Sequence, residues 1–166
     1  MTRTAVYRTT VHWKGEHWGR IRMGNGPEMD FSAPPDAHGH AGVLTPEDAF
    51  VAAVNTCVMM MFIWAKERFK LDLVSYECGA EGTKRIELDR TETFAQVALR
   101  PRIVVRAGAT ERESTQKRVQ RALESAVKYS LVANSLKSEI AIEPNIEIVL
   151  RTDDPGNKAS GNRLTT

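Results

Sequence analysis

The chain has 166 residues, 42% of them apolar, and its 23 basic and 21 acidic residues leave a formal charge of +2. That length suffices for one globular domain with a substantial core, and the near balance of charge excludes the strong basic field of a typical nucleic-acid binder. Two cysteines are too few for a disulfide scaffold, and with no signal-peptide pattern at the amino terminus a cytoplasmic, reducing setting is expected.

Residues 4–13 are rich in β-branched and aromatic side chains and predict a strand; 15–19 read as a turn and 20–23 as a second strand. Gly24-Asn25-Gly26-Pro27 is a strong turn signal, and 29–32 form a short third strand. Residues 33–43 hold two prolines, two glycines and two histidines and read as an exposed loop. His38 and His40 stand two apart with no cysteine nearby, a weak ligand set, so no metal site and no cofactor are expected.

A helix follows, ending near Lys70. Thr45 is a good N-cap, Pro46 suits the first helical position and Asp48 stands where a capping-box acid belongs. Between 49 and 65 the only conventionally polar residues are Asn55 and Thr56. A helix apolar all round is normally a buried one; this stretch is short for a membrane span and polar-interrupted, so no membrane partner is expected. Cys57 inside it is either inert filler or a thiol for chemistry in a dry pocket. Met59, Met60 and Met61, with Phe62 and Trp64, read as adaptable core or the wall of a hydrophobic pocket.

Val74, Tyr76, Cys78 and Ala80 alternate with Ser75, Glu77, Gly79 and Glu81, a strand with one buried face on which Cys78 is core filler. Residues 94–99 and 103–105 form another strand region, broken by Pro101. Thr110-Glu111-Arg112-Glu113 matches a capping box. The helix it opens carries Val119, Ala122, Leu123, Ala126, Val127, Ser130 and Leu131 at helical spacing, and Ser130 within it suits a hydroxyl bonding back to the carbonyl one turn earlier. Its basic residues Arg112, Lys117, Arg118 and Arg121 alternate with Glu111, Glu113 and Gln116 as a solvated face, so no nucleic-acid partner is expected. Residues 146–150 close the fold as a strand. Residues 1–151 make a single domain and 152–166 a polar, disordered tail. Strands in groups rather than in alternation with helices give an α+β class. One small sheet and one amphipathic helix cannot cover an all-apolar helix on every side, which predicts an obligate homodimer.

With these pieces in place the chain resembles the OsmC/Ohr family of thiol-dependent peroxidases. The resemblance rests on Thr45-Pro46-Glu47 followed by Cys57 about three turns later, and on Lys128-Tyr129-Ser130-Leu131-Val132-Ala133-Asn134-Ser135-Leu136, where the family has a cysteine and then a Ser-Asn-x-Leu run. It implies antiparallel sheets wrapped around long central helices in an intertwined homodimer. It also implies reduction of organic hydroperoxides or hydrogen peroxide, with Cys57 as nucleophile, in a pocket that includes Met60, Met61 and Ser130. Glu47 matches the family's helix-start glutamate, which holds an arginine against the thiolate; Arg20 in the amino-terminal hairpin is the nearest candidate for that arginine. Without the resemblance, Glu47 is a helix-dipole carboxylate and Arg20 a surface arginine.

The family's second active-site cysteine falls on Ser130. A hydroxyl cannot condense with a sulfenic acid to give a disulfide. Three outcomes stay open: one-cysteine chemistry with an external thiol reductant, Cys78 as the second thiol, or loss of activity. In the last case the chain would be a non-catalytic module binding a small apolar ligand; a redox sensor without turnover ranks third.

Overall fold

The computed structural model of the chain describes residues 2–152; of the expected tail, 153–166 lie outside the described residues. The chain falls into two compact units, Met1–Ala52 and Ala53–Thr166.

In the first unit, β1 (Thr9–Gly15), β2 (Trp18–Met23) and β3 (Glu28–Ser32) form an antiparallel sheet in that order. The expected strand at 4–13 thus begins later and runs to Gly15. Glu16 and His17 form the β1–β2 turn; Glu16, its first residue, is left-handed (φ 43°), and Gly15 before it takes φ 111° where the register shifts between Trp13 and Gly15. The loop at 33–43 contains a short 3-10 turn, Pro35–Ala37, and folds back on β3. The buried Ser32 hydroxyl accepts the His40 amide at 3.0 Å. A Cβ at Gly39 would lie 1.5 Å from the carbonyl oxygen of Ala33, so only glycine fits that close approach.

α1 (Pro46–Arg68) begins as expected: Thr45 Oγ1 accepts the Asp48 amide at 3.0 Å and donates to the Asp48 carboxylate at 2.8 Å. It ends in a Schellman motif. Lys70 is left-handed (φ 53°), and the amides of Lys70 and Leu71 donate to the carbonyls of Glu67 and Lys66. Arg118 secures that end by donating to the carbonyls of Phe69 and Lys70 at 3.3 Å each.

The second unit is built on a long hairpin, β4 (Asp72–Ile86) with β5 (Glu92–Ala107), joined along β5 by two parallel strands, β6 (Glu139–Ile142) and β7 (Asn145–Leu150). The sheet is therefore mixed, not purely antiparallel. Pro101 does not break β5. Pairing with β6 ends at Leu99 and pairing with β7 begins at Arg102, so Pro101 stands in the gap between them, where its missing amide interrupts neither ladder. The period-two stripe Val97, Leu99, Pro101, Ile103, Val105 runs straight through it, fully buried. On β4 the alternation holds from Tyr76 to Ala80, but a register shift between Leu73 and Ser75 turns Val74 out.

α2 (Arg112–Tyr129) supplies Val119, Ala122, Leu123 and Ala126 to the core. Thr110 is not its cap: a 3-10 turn, Ala109–Glu111, precedes it, and the Glu111 carboxylate reaches back to the Gly108 amide at 3.2 Å. The helix also stops earlier than the hydrophobic stripe predicts. Ser130 is extended (ψ 116°) and starts a new short helix, α3 (Leu131–Asn134), which leaves Leu131 exposed.

α1 is not covered on every side. Val54, Val58, Phe62 and Ala65 form one buried ridge, while Met59, Met60 and Trp64 are exposed. By length and composition alone α1 could cross a membrane, and 22% of its most apolar stretch is buried within the chain.

Candidate functional site

Helix geometry gives the two flanks of the α1 ridge different surroundings. At about 100° per residue, Cys57 and Asn55 project from opposite sides of the ridge. On one flank Asn55 donates its amide to the carbonyl of Cys78 at 3.0 Å, and Phe62 packs on Tyr76 with ring centroids 5.2 Å apart. That flank is closed against β4. On the other flank Cys57, half-buried, meets the junction between α2 and α3, where the hydroxyl of Ser130 donates to its sulfur at 3.1 Å. Met61 lies one turn further along this flank, half-buried, with Met60 and Trp64 outside it.

Ser130 is fully buried and every polar group it has is engaged. Its amide donates to Val127 O at 3.2 Å, its carbonyl accepts the Asn134 amide at 3.0 Å, and its hydroxyl oxygen accepts the Ala133 amide at 3.2 Å. The hydroxyl does not bond back to the preceding turn, as an in-helix serine would; it acts as an N-cap. The sequence signal for this was Ser130-x-x-Ala133, an N-cap serine with its third-position amide, hidden by an apparently continuous stripe. Asn55, the polar tie to β4, was visible only as an interruption in an apolar run.

The remaining sequence-derived candidates are placed as follows. Cys78 lies on β4, opposite Pro101 and beside Tyr76, and burial pushes its thiol above the usual range. Tyr76 Oη is buried without a hydrogen bond of good geometry, and burial pushes its phenol up as well. The Asn55 side of the helix faces Cys78, while Cys57 projects from the other side of the ridge. Arg20 is exposed on the first unit's sheet, where its guanidinium pairs with Glu28 at 3.2 Å and Asp30 at 3.0 Å. Glu28 and Asp30 are held below the usual carboxylate range, chiefly by Arg22 and Lys14 respectively, with Arg20 next. Glu47 Oε2 is buried and makes no hydrogen bond, and the ion pairs of Arg20 are with Glu28 and Asp30 rather than Glu47. His40 stacks on Trp18 with centroids 4.2 Å apart, and His17 and His38 are 6.2 Å apart. Among the described residues no group of three or more His, Cys, Asp or Glu side chains could hold a metal. A groove of about 450 Å³ lies between α2 and β6, lined by Leu123, Val127, Ile140, Ile142, Glu124 and Lys128, with neither cysteine in its lining.

An apolar helix beginning Thr45-Pro46-Glu47, a thiol three turns in, and a second helix end reaching that thiol are the features the resemblance predicts. The family model of OsmC-like proteins matches residues 39–145. The chain belongs to the OsmC-like protein family. Solved structures show the same fold. An OsmC-like protein of unknown function from Vibrio cholerae is 22% identical, with a TM-score of 0.76 over 86% of this chain and 100% of that one. An organic hydroperoxide resistance protein from Elizabethkingia anophelis, with thiocyanate bound, is 18% identical with a TM-score of 0.66, covering 90% and 100%. The organic hydroperoxide resistance protein OhrB of Bacillus subtilis is 14% identical with a TM-score of 0.56, covering 86% and 98%. No curated protein matches the chain.

Proposed function

We propose that this OsmC-like protein is a one-cysteine thiol peroxidase acting on organic hydroperoxides or hydrogen peroxide. The observation that carries the reading is the half-buried Cys57 sulfur on the open flank of α1, hydrogen-bonded by Ser130 at 3.1 Å and bordered by apolar side chains. In the proposed reaction the Cys57 thiolate attacks one peroxide oxygen and the O–O bond breaks. The alkoxide or hydroxide leaves with a proton from solvent, and the sulfur becomes a sulfenic acid. An external thiol condenses with it, releasing water and forming a mixed disulfide, and a second thiol frees Cys57 as the external disulfide departs. Met60, Met61 and Trp64 favour an apolar peroxide. Glu47 and Arg20 keep the roles that the resemblance gives them; Arg20 would have to exchange its exposed, salt-screened pairs with Glu28 and Asp30 to serve.

The working form is proposed to be a homodimer in which a second copy covers the exposed Met59, Met60 and Trp64, in the cytoplasm, where external thiols are kept reduced. The serine in place of a second thiol favours one rival reading, a non-catalytic protein holding a small apolar ligand. Intact mass after one equivalent of cumene hydroperoxide, beside Cys57→Ser, separates the two. One added oxygen or a thiol adduct, lost in Cys57→Ser, supports the peroxidase. Loss of two hydrogens would implicate Cys78, and an unreacted wild type would sink the peroxidase in favour of the ligand-binding reading.

A further inference from the structure

The hydroxyl of Ser130 has one proton, and its surroundings decide where that proton points. The Ala133 amide approaches the oxygen at 3.2 Å and can only donate, which engages a lone pair and leaves the O–H for another acceptor. The Cys57 sulfur at 3.1 Å is that acceptor. The bonds to Val127 and Asn134 fix the serine backbone and the Ala133 amide holds its side-chain oxygen, so the donor is kept in place. A hydrogen bond to an anionic acceptor is roughly twice as strong as one to a neutral acceptor. A fixed O–H donor therefore favours the thiolate over the thiol.

We propose that Ser130 is a positioning residue that directs its proton at the Cys57 sulfur and stabilises the negative charge the sulfur carries when it reacts, rather than the idle remnant of a second thiol. The inference rests on the peroxidase reading for its purpose, but not for its physics. A cysteine here would be a weaker donor with the power to close a disulfide; the serine gives up that closure and gains a stronger donor.

The test uses the reduced full-length protein in a Cys78→Ser background, with alkylation of Cys57 by iodoacetamide followed by peptide mass across pH 5–10. For Ser130→Ala the expected result is a profile moved alkaline by about one pH unit, with about tenfold slower reaction near neutrality, the scale of one hydrogen bond to a charged group. Ser130→Thr, which keeps the hydroxyl, should restore the parent profile; a merely structural role would not follow the hydroxyl in this way. Should the alanine variant fail to fold, the near-isosteric Ser130→Cys decides: its Cys57 profile also moves alkaline while reduced. A folded Ser130→Ala or Ser130→Cys whose profile superimposes on the parent's overturns the proposal. Because alkylation needs no hydroperoxide, a shifted profile in a protein that cumene hydroperoxide leaves unreacted would sink the peroxidase reading and leave the hydrogen bond standing.

Discussion

The two cysteines make a controlled comparison within one fold. Both are half-buried, in the same unit, on either side of the same helix ridge. Cys78 sits on the closed flank: its carbonyl is tied to Asn55, its neighbour across the hairpin is Pro101, and burial opposes its ionisation. Cys57 sits on the open flank, where a serine hydroxyl is aimed at its sulfur. The difference teaches that burial alone does not sort a filler thiol from a chemical one. What sorts them is that at Cys78 burial outweighs the donors Tyr76 and the Arg100 amide, whereas Cys57 has a buried serine hydroxyl on its sulfur and a helix face beside it that remains uncovered within the chain.

The comparison can be broken first at the ridge that separates the flanks. Phe62 is fully buried and packs on Tyr76. Phe62→Ala should cost about 3–5 kcal/mol, the usual range for a large-to-small core change, read from the urea midpoint. In the same variant Cys78 should become readily alkylated while Cys57 changes little. Equal acceleration of both would mean that the flanks do not open separately. A smaller effect on the single chain is expected at the open flank. Trp64 is 65% exposed, so Trp64→Lys should change the intrinsic stability of a single chain by about 0.5 kcal/mol or less. If a second copy covers that face, the same substitution should turn a dimer into a monomer in analytical ultracentrifugation. A parent that sediments as a monomer, or a variant that still dimerises, would remove the proposed role of this face.

The sequence showed the parts of this molecule that depend on local chemistry. Thr45, Pro46 and Asp48 announced the start of α1 because capping is settled within four residues, and the hairpin turns announced themselves through Gly15 and the Gly24–Pro27 signal. What it hid depends on partners far along the chain. Pro101 reads as a breaker until two parallel strands are known to meet beside it. β6 is only four residues long, Glu139–Ile142, too short for a period of two to show. Ser130 reads as one more position on a helical stripe, and only the close of α2 and the approach of Cys57 give its hydroxyl two partners. The all-apolar pattern of α1 told of burial but not by what, since only its ridge is covered within one chain.

The finest edge of the comparison is a pH dependence that belongs to Cys78. Burial raises its thiol above the value it has when unfolded, against weaker opposing contributions from Tyr76 and the backbone of Arg100. Between the unfolded and folded titrations the native state holds the proton that the unfolded chain has released, so unfolding is favoured by raising pH. The stability associated with the neutral thiol is therefore complete below the unfolded thiol value, about pH 8.5, and is lost as pH climbs through the folded one. Tyr76 acts in the same direction in a higher window, above about pH 10, because its phenol is also raised by burial. Urea midpoints taken from pH 7 to 11 should fall for the parent beginning near pH 8.5, and Cys78→Ser should flatten the early part of that fall without touching the part above about pH 10. Because the thiol is only half-buried, the slope is expected to be shallow. A Cys78→Ser protein with the parent's full slope would show that the loss does not come from this thiol.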